Sequence, residues 1–245
     1  MSKSDSARLY ERVAHDISEK IAAGDYVVGQ RLPAERHLAQ AYEVSRPTVR
    51  EAIIALELDG LVEVRQGSGV YVTASMPKGG HAGETDIGPF ELLEARRAIE
   101  GEACALAAAR ISNAELAELE ALVDGMLSAD VAESEDADRR FHVAIARATQ
   151  NSAMVATVEM LWEARARSPQ YRLLSDKAHG AGVTPRRDEH AVILDALRTR
   201  DPETARSAMR NHLSNVLESI LAATEVHELE QARARVAAHR KRYVA

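Results

Sequence analysis

A disulfide, a membrane span and an aromatic-rich β core are what this sequence lacks the residues to build. Its one cysteine, Cys104, has no partner within the chain and suits a reducing compartment. Aromatics make up only 4% of the residues, and alanine and leucine carry much of the 46% apolar share. That balance disfavours a β-sandwich, which draws on Val, Tyr, Phe and Trp, and favours packed helices. No run of 18 apolar residues occurs, so no transmembrane helix is expected. The start, Met1-Ser-Lys-Ser-Asp5, carries no signal-peptide stretch, and a cytoplasmic location is expected. Positive charge is also short: 38 acidic groups face 31 basic ones, for a net charge of −7. Contact with nucleic acid must therefore come from a local patch rather than from bulk charge, and no membrane partner is expected. What remains is a mainly α chain of 245 residues, enough for one large domain or two small ones.

The natural break falls in the segment from Ala74 to Gly88, which holds four glycines and a proline and has no apolar period. The expected organisation is a first domain at 1–75, a linker at 76–88, an all-helical domain at 89–230 and a basic tail at 231–245. In the first domain Val13, Ile17 and Ile21 recur at a four-residue step, the stripe of a helix over Tyr10 to Ala23. A second helix is expected over Pro33 to Tyr42, with the proline in its first turn. Ser45 caps a third, Arg46 to Asp59, which Gly60 stops. Leu61–Arg65 and Val70–Thr73 read as short strands around Gln66-Gly-Ser-Gly69. The result is a helix-turn-helix followed by a wing. Beyond the linker, helices are expected at about 89–110, 113–128, 131–150, 152–166, 169–178, 186–199 and 202–225, with Asn113, Thr184-Pro185 and Asp201-Pro202 as start signals.

The third helix presents Arg46, Thr48 and Arg50 from its N-terminal end, the end by which a recognition helix enters the major groove. Arginine there can bond the O6 and N7 edge of guanine, and serine or threonine hydroxyls reach phosphate or base. Arg36 on the preceding helix can brace the DNA backbone. The alternative is that Arg46 and Arg50 pair with Glu43, Glu51 or Glu57. Residues 1–73 hold nine Lys and Arg against eleven Asp and Glu, which favours that alternative.

Arg31-Leu-Pro-Ala-Glu-Arg36, Val44-Ser-Arg-Pro-Thr-Val-Arg50, Asp59-Gly-Leu-Val62 and Gly67-Ser-Gly-Val-Tyr-Val72 stand in an order that closely resembles the winged helix of GntR-type bacterial transcription regulators. The resemblance runs from about Leu9 to Thr73. It implies that Arg36, Arg46 and Arg50 contact DNA with Ser45 and Thr48 assisting, and that the wing tip, Gln66-Gly67, reaches the minor groove. Some members carry histidine where this chain has Gln66.

In the second part Asp138 and His142 are four apart, which on a helix sets carboxylate and imidazole on one face. His190 and His212 lie beside apolar stripes marked by Ile193, Leu194, Met209 and Leu213, so their rings can point inward. One aspartate and three histidines suit Zn²⁺, Ni²⁺ or Mn²⁺; each histidine taken alone is more readily a half-buried structural residue. Glu94-Ala-Arg96-Arg-Ala-Ile-Glu100, Asp138-x-x-Phe-His142 with Ala148-Thr-Gln-Asn151, His190-x-x-Ile193 and Met209-x-x-His212 resemble the all-helical effector domain of the FadR subfamily, over about Pro89 to Leu229. The resemblance implies a divalent metal, zinc before nickel or manganese, on Asp138, His142, His190 and His212. It also disfavours a fatty-acyl ligand, because members that bind acyl-CoA lack this set.

Arg96 stands where the subfamily often faces its pocket, and its guanidinium can hold a carboxylate bidentately. The alternative is a helix pair with Glu94 or Glu100. Asn215, one turn beyond His212, is a further candidate for a ligand hydroxyl, while Asn151 reads as a helix boundary. The block from Gly88 to Arg96 and the one ending at Asn151-Ser152 are similar to the hexuronate-catabolism regulators of this subfamily. The implied protein is a homodimeric repressor that binds a palindromic operator and responds to a small sugar acid. Two rivals stand beside it: a regulator that senses the metal itself or another carboxylate, and a metal-dependent enzyme acting on a hydroxy acid.

Overall fold

The structure is a computed structural model that describes residues 9–65, 68–77, 87–180 and 187–224. Among these, the chain forms ten α-helices and one two-stranded antiparallel sheet, divided between two compact units. The expected linker at 76–88 and the tail at 231–245 lie largely or wholly outside the described residues.

The first unit holds α1 (Leu9–Ala23), α2 (Glu35–Tyr42), α3 (Arg46–Leu58), β1 (Val62–Arg65) and β2 (Gly69–Val72). The four-residue stripe of α1, Tyr10, Val13, Ile17 and Ile21, packs with Leu38, Val49, Ile53 and Leu56 of α2 and α3. Leu61, Val62, Val70 and Val72 of the sheet region close the same core. In the sheet Val62 faces Val72 and Arg65 faces Gly69. Gly69 sits at φ +126°, where a side chain is strained, and a Cβ there would strike the Arg31 guanidinium. The second helix begins later than the sequence implies. Ala34 is its N-cap, so Pro33 lies outside the first turn and extends the approach to the helix rather than starting it.

The second unit is α-helical throughout: α4 (Pro89–Ala108), α5 (Asn113–Gly125), α6 (Val131–Ala148), α7 (Ser152–Arg167), α8 (Pro169–Gly180), α9 (Arg187–Arg198) and α10 (Pro202–Thr224). Local chemistry sets the starts. Ser112 and Glu115 form a reciprocal capping box at α5, so the cap is Ser112 and Asn113 is already helical. Asp130 accepts from the Ala132 N–H at α6, and Asn151 accepts from Ala153 and Met154 at α7. Asp201 accepts from the Thr204 N–H at α10. Thr184-Pro185, read as the start signal of α9, lies outside the described residues. A core of Phe141, Ile145, Ile193, Leu197, Met209 and Leu213, with Leu119 and Val123, draws α5, α6, α9 and α10 together. Asp138, His142, His190 and His212 stand on these core-facing helices.

Candidate DNA-reading face and metal centre

The reading face is built at the α2–α3 turn. Glu43 takes the left-handed conformation, at φ 55°, and its N–H closes α2 onto the Ala39 and Gln40 carbonyls. The chain then enters α3 through Ser45, whose Oγ accepts from the Thr48 N–H at 3.2 Å and lies 2.8 Å from the Thr48 hydroxyl. Pro47 occupies the permitted first turn. Arg46 is half exposed at this tip, and Arg36 is exposed on α2 with its guanidinium 3.3 Å from the His37 ring.

Arg50 is placed otherwise. Its side chain is 5% exposed and its Nε donates to Glu35 Oε2 at 2.8 Å, while Arg46 approaches the same oxygen at 4.0 Å. Both α3 arginines thus meet the Glu35 carboxylate, a partner on the preceding helix. Glu35 was not legible as their anchor, since its partners follow 11 and 15 residues later with no helical spacing to mark them. At the wing, Arg65 lies over the Tyr71 ring at 4.6 Å and pairs with Glu63, and the Tyr71 and Ser68 hydroxyls lie 2.8 Å apart. The wing-tip candidates Gln66 and Gly67 lie outside the described residues.

In the helical unit the structure gathers Asp138, His142, His190 and His212, all buried, with one potential ligand atom from each lying within 4.8 Å of the others. His190 Nε2 is 2.9 Å from Asp138 Oδ1, and His142 Nε2 is 3.5 Å from the same oxygen. The His190 and His212 ring centres are 4.4 Å apart, and Phe141 meets the His190 ring edge-on at 5.2 Å. Tetrahedral zinc bonds of about 2.1 Å put ligand atoms roughly 3.4 Å apart, so small side-chain movements would close this set on an ion.

The set is supported from outside. His212 Nδ1 is 3.0 Å from Glu189 Oε2, which leaves Nε2 as its outward donor. His142 Nδ1 lies 2.5 Å from Glu100 Oε2, but neither ring nitrogen of His142 meets the geometry of a hydrogen bond. Its Nε2 stands 3.5 Å from Asp138 without the geometry of a hydrogen bond, a gap suited to a cation, and with the donor set of one carboxylate and three imidazoles the residues fit a metal ion. Arg165 holds the other oxygen of Asp138 at 3.4 Å.

Arg96 is buried and donates to Glu100 Oε1 at 2.6 Å, while its guanidinium lies 4.0 Å from the Trp162 ring centre. The helix-pair alternative thus describes its partner, and it reaches the cluster through Glu100. Asn215 is exposed on α10 and does not share the buried face of His212. Glu100 was legible as the helix partner of Arg96 but not as a neighbour of His142, and Glu189 was not singled out, although its place directly before His190 was a signal to follow.

Burial would raise the Glu100 carboxyl, but the Arg96 guanidinium and then His142 outweigh it and bring it down to about 2. Asp138 is also held well below its usual range, by His142 and His190 against its burial. Burial pushes His212 down to about 4, with Glu189 opposing, so this ring is neutral and ready to ligate. His142 is raised above 6.5, since Glu100 and Asp138 outweigh the burial that favours its neutral form.

The family model for bacterial regulatory proteins of the gntR family matches residues 9–72, and that for the FCD domain matches residues 91–215. The chain is 39% identical over 220 residues to the Exu regulon transcriptional regulator of Escherichia coli (strain K12), covering 88% of this chain and 85% of that one. It is 34% identical over 230 residues to the Uxu operon regulator of Haemophilus influenzae, covering 90% and 85%. It is 34% identical over 242 residues to the Uxu operon transcriptional regulator of Escherichia coli (strain K12), covering 93% of each. These relatives are regulators of transcription, which sets the enzyme rival aside. With one match over its helix-turn-helix and wing and another through its helical unit, the chain belongs to the gntR family of bacterial regulatory proteins and is a DNA-binding transcription regulator with an FCD domain.

Proposed function

We propose that this regulator is a cytoplasmic, homodimeric repressor of a sugar-acid catabolic operon, released from its operator by a hexuronate or related acid bound at a divalent metal. The observation that carries the reading is the buried meeting of Asp138, His142, His190 and His212, with a carboxylate behind each of two of the rings. The Exu and Uxu names of the relatives support the choice of ligand. Asp138, His142, His190 and His212 would hold the ion, with zinc favoured by the nitrogen-rich set and nickel or manganese as substitutes. When bound, a divalent ion supplies a Lewis-acid centre to which the carboxylate and an adjacent hydroxyl of a sugar acid can chelate.

The protein's own groups then sort the ligand. Arg96, at the edge of the cluster, offers guanidinium hydrogen bonds to a second oxygen, in exchange for part of its hold on Glu100. In the reading unit Arg46, Thr48 and Ser45 address the major groove and Arg36 the phosphates, with Arg50 contributing through its pair with Glu35. A twofold dimer would match a palindromic operator half-site by half-site. Ligand changes operator affinity only by the difference in its own affinity for the DNA-bound and free protein.

The test is operator binding by fluorescence anisotropy, titrated with D-glucuronate and D-galacturonate, with and without a chelator. Release by the acids that is abolished by chelation is the expected result. Release by metal alone, with the acids inert, would select a metal sensor instead, and response to a dicarboxylic or hydroxy acid would move the ligand class.

A further inference from the structure

A cavity of about 320 Å³ opens between α6, α7 and α8. Among its lining residues are Arg139, Arg172, Arg165, Trp162, Tyr171 and Ser175, and none of the four metal-ligand positions is among them. Its charges are unevenly committed. Of its two carboxylates, Asp136 faces Arg140 at 3.8 Å, and Glu135 faces Arg165 and the Ser175 hydroxyl, both at 3.4 Å. Arg139 and Arg172 are exposed and, among the described residues, face no carboxylate. Trp162 is buried and carries the Arg165 guanidinium over its ring. The cavity therefore has two exposed guanidinium forks beside the largely buried guanidinium of Arg165, the inventory of a site for an anion.

We propose that this cleft is a second ligand site, separate from the metal centre, for a small polyhydroxy carboxylate held by Arg139 and Arg172. The forks suit a carboxylate, and the Ser175 hydroxyl suits a ligand hydroxyl. The volume stands at the small end of ligand pockets and fits one sugar-sized acid. Arg165 joins the two sites: its guanidinium is stacked between Trp162 at 4.7 Å and Tyr171 at 4.8 Å, lines the cleft, and reaches Asp138 at 3.4 Å. An anion in the cleft draws on Arg165 and leaves more negative charge on Asp138 for a cation. Anion and metal then favour each other, and by linkage the effect is reciprocal.

The inference stands apart from the proposed role of the metal, and its test keeps the two apart. Full-length, metal-loaded protein is titrated calorimetrically with D-glucuronate and compared with Arg139→Gln/Arg172→Gln, whose changes lie on the surface; a thermal melt checks the fold. The expected result is that the double variant loses one equivalent of ligand, or binds it at least tenfold more weakly. Repetition with excess chelator should leave one weakened but saturable equivalent in the unsubstituted protein and none in the double variant. Equal stoichiometry and affinity in the two proteins, or no binding after chelation, overturns the cleft. If the metal-bound effector reading alone fails, loaded and chelated protein show the same single equivalent.

Discussion

Arg46 and Arg50, two positions on α3 read as equivalent, are not so in the fold. Arg46 keeps half its side chain in solvent at the tip of the reading helix. Arg46→Ala should cost operator affinity about 1–3 kcal/mol and leave the thermal melt unchanged, which anisotropy and calorimetry together would show. Arg50 is buried against Glu35. Arg50→Ala should lower stability by roughly 2 kcal/mol, less than the loss at a fully buried pair because Glu35 keeps Arg46 and some solvent. An unchanged urea midpoint for Arg50→Ala would return that side chain to the DNA. His142 supplies the pH prediction. Its folded value lies above 6.5, so in metal-free protein its pairing with Glu100 and Asp138 contributes stability below 6.5 that is lost as pH rises through the folded value. A metal ligand must be deprotonated, so loading the site near about pH 6.5 should release a proton and affinity should climb with pH. Calorimetric heats that do not change between buffers of different ionisation enthalpy would refute this.

At the scale of the element, α3 depends on how it starts. Ser45 satisfies the Thr48 N–H, the first turn carries no acidic side chain, and Pro47 presets the backbone. Ser45→Ala should cost about 1 kcal/mol of stability in the reading unit and weaken operator binding by fraying the end that carries Arg46. Ser45→Asp should restore the cap but place a negative charge where phosphate must approach, so the melt would recover and DNA binding would not. Recovery of both would show that the tip lies away from the duplex. Helix α6 has the complementary design: one face buries Phe141 and Ile145, and the adjoining stripe presents Asp138 and His142 to α9 and α10.

For the whole molecule, the division into two units predicts that ligand effects on stability are local at first. Metal bound in the helical unit stabilises it by mass action, about 4 kcal/mol at a thousandfold excess over the dissociation constant. Chelation should therefore lower the melting temperature of that unit, and His190→Ala/His212→Ala should abolish both the shift and the bound metal. Full metal content in that variant, measured by elemental analysis, would show the site misplaced. The net charge of −7 confines DNA attraction to the reading tip, so operator affinity should fall with salt along a shallow slope set by few phosphate contacts.

The sequence by itself determined the elements, because their causes are local. Apolar periodicity and capping side chains such as Ser45, Ser112, Asp130 and Asn151 place helix starts and stops within one or two residues at most ends. Asp138 and His142 shared a face by spacing alone. Which partners met was decided only by the tertiary structure. Glu35 under two arginines, Glu100 between Arg96 and His142, Glu189 against His212, and Arg165 between Trp162 and Tyr171 join side chains by burial and charge. In most of these the helices come from distant parts of the chain. Periodicity reports which face a residue takes; only packing in a low-dielectric interior decides which opposite charge it finds there, because an unpaired charge cannot be buried at tolerable cost.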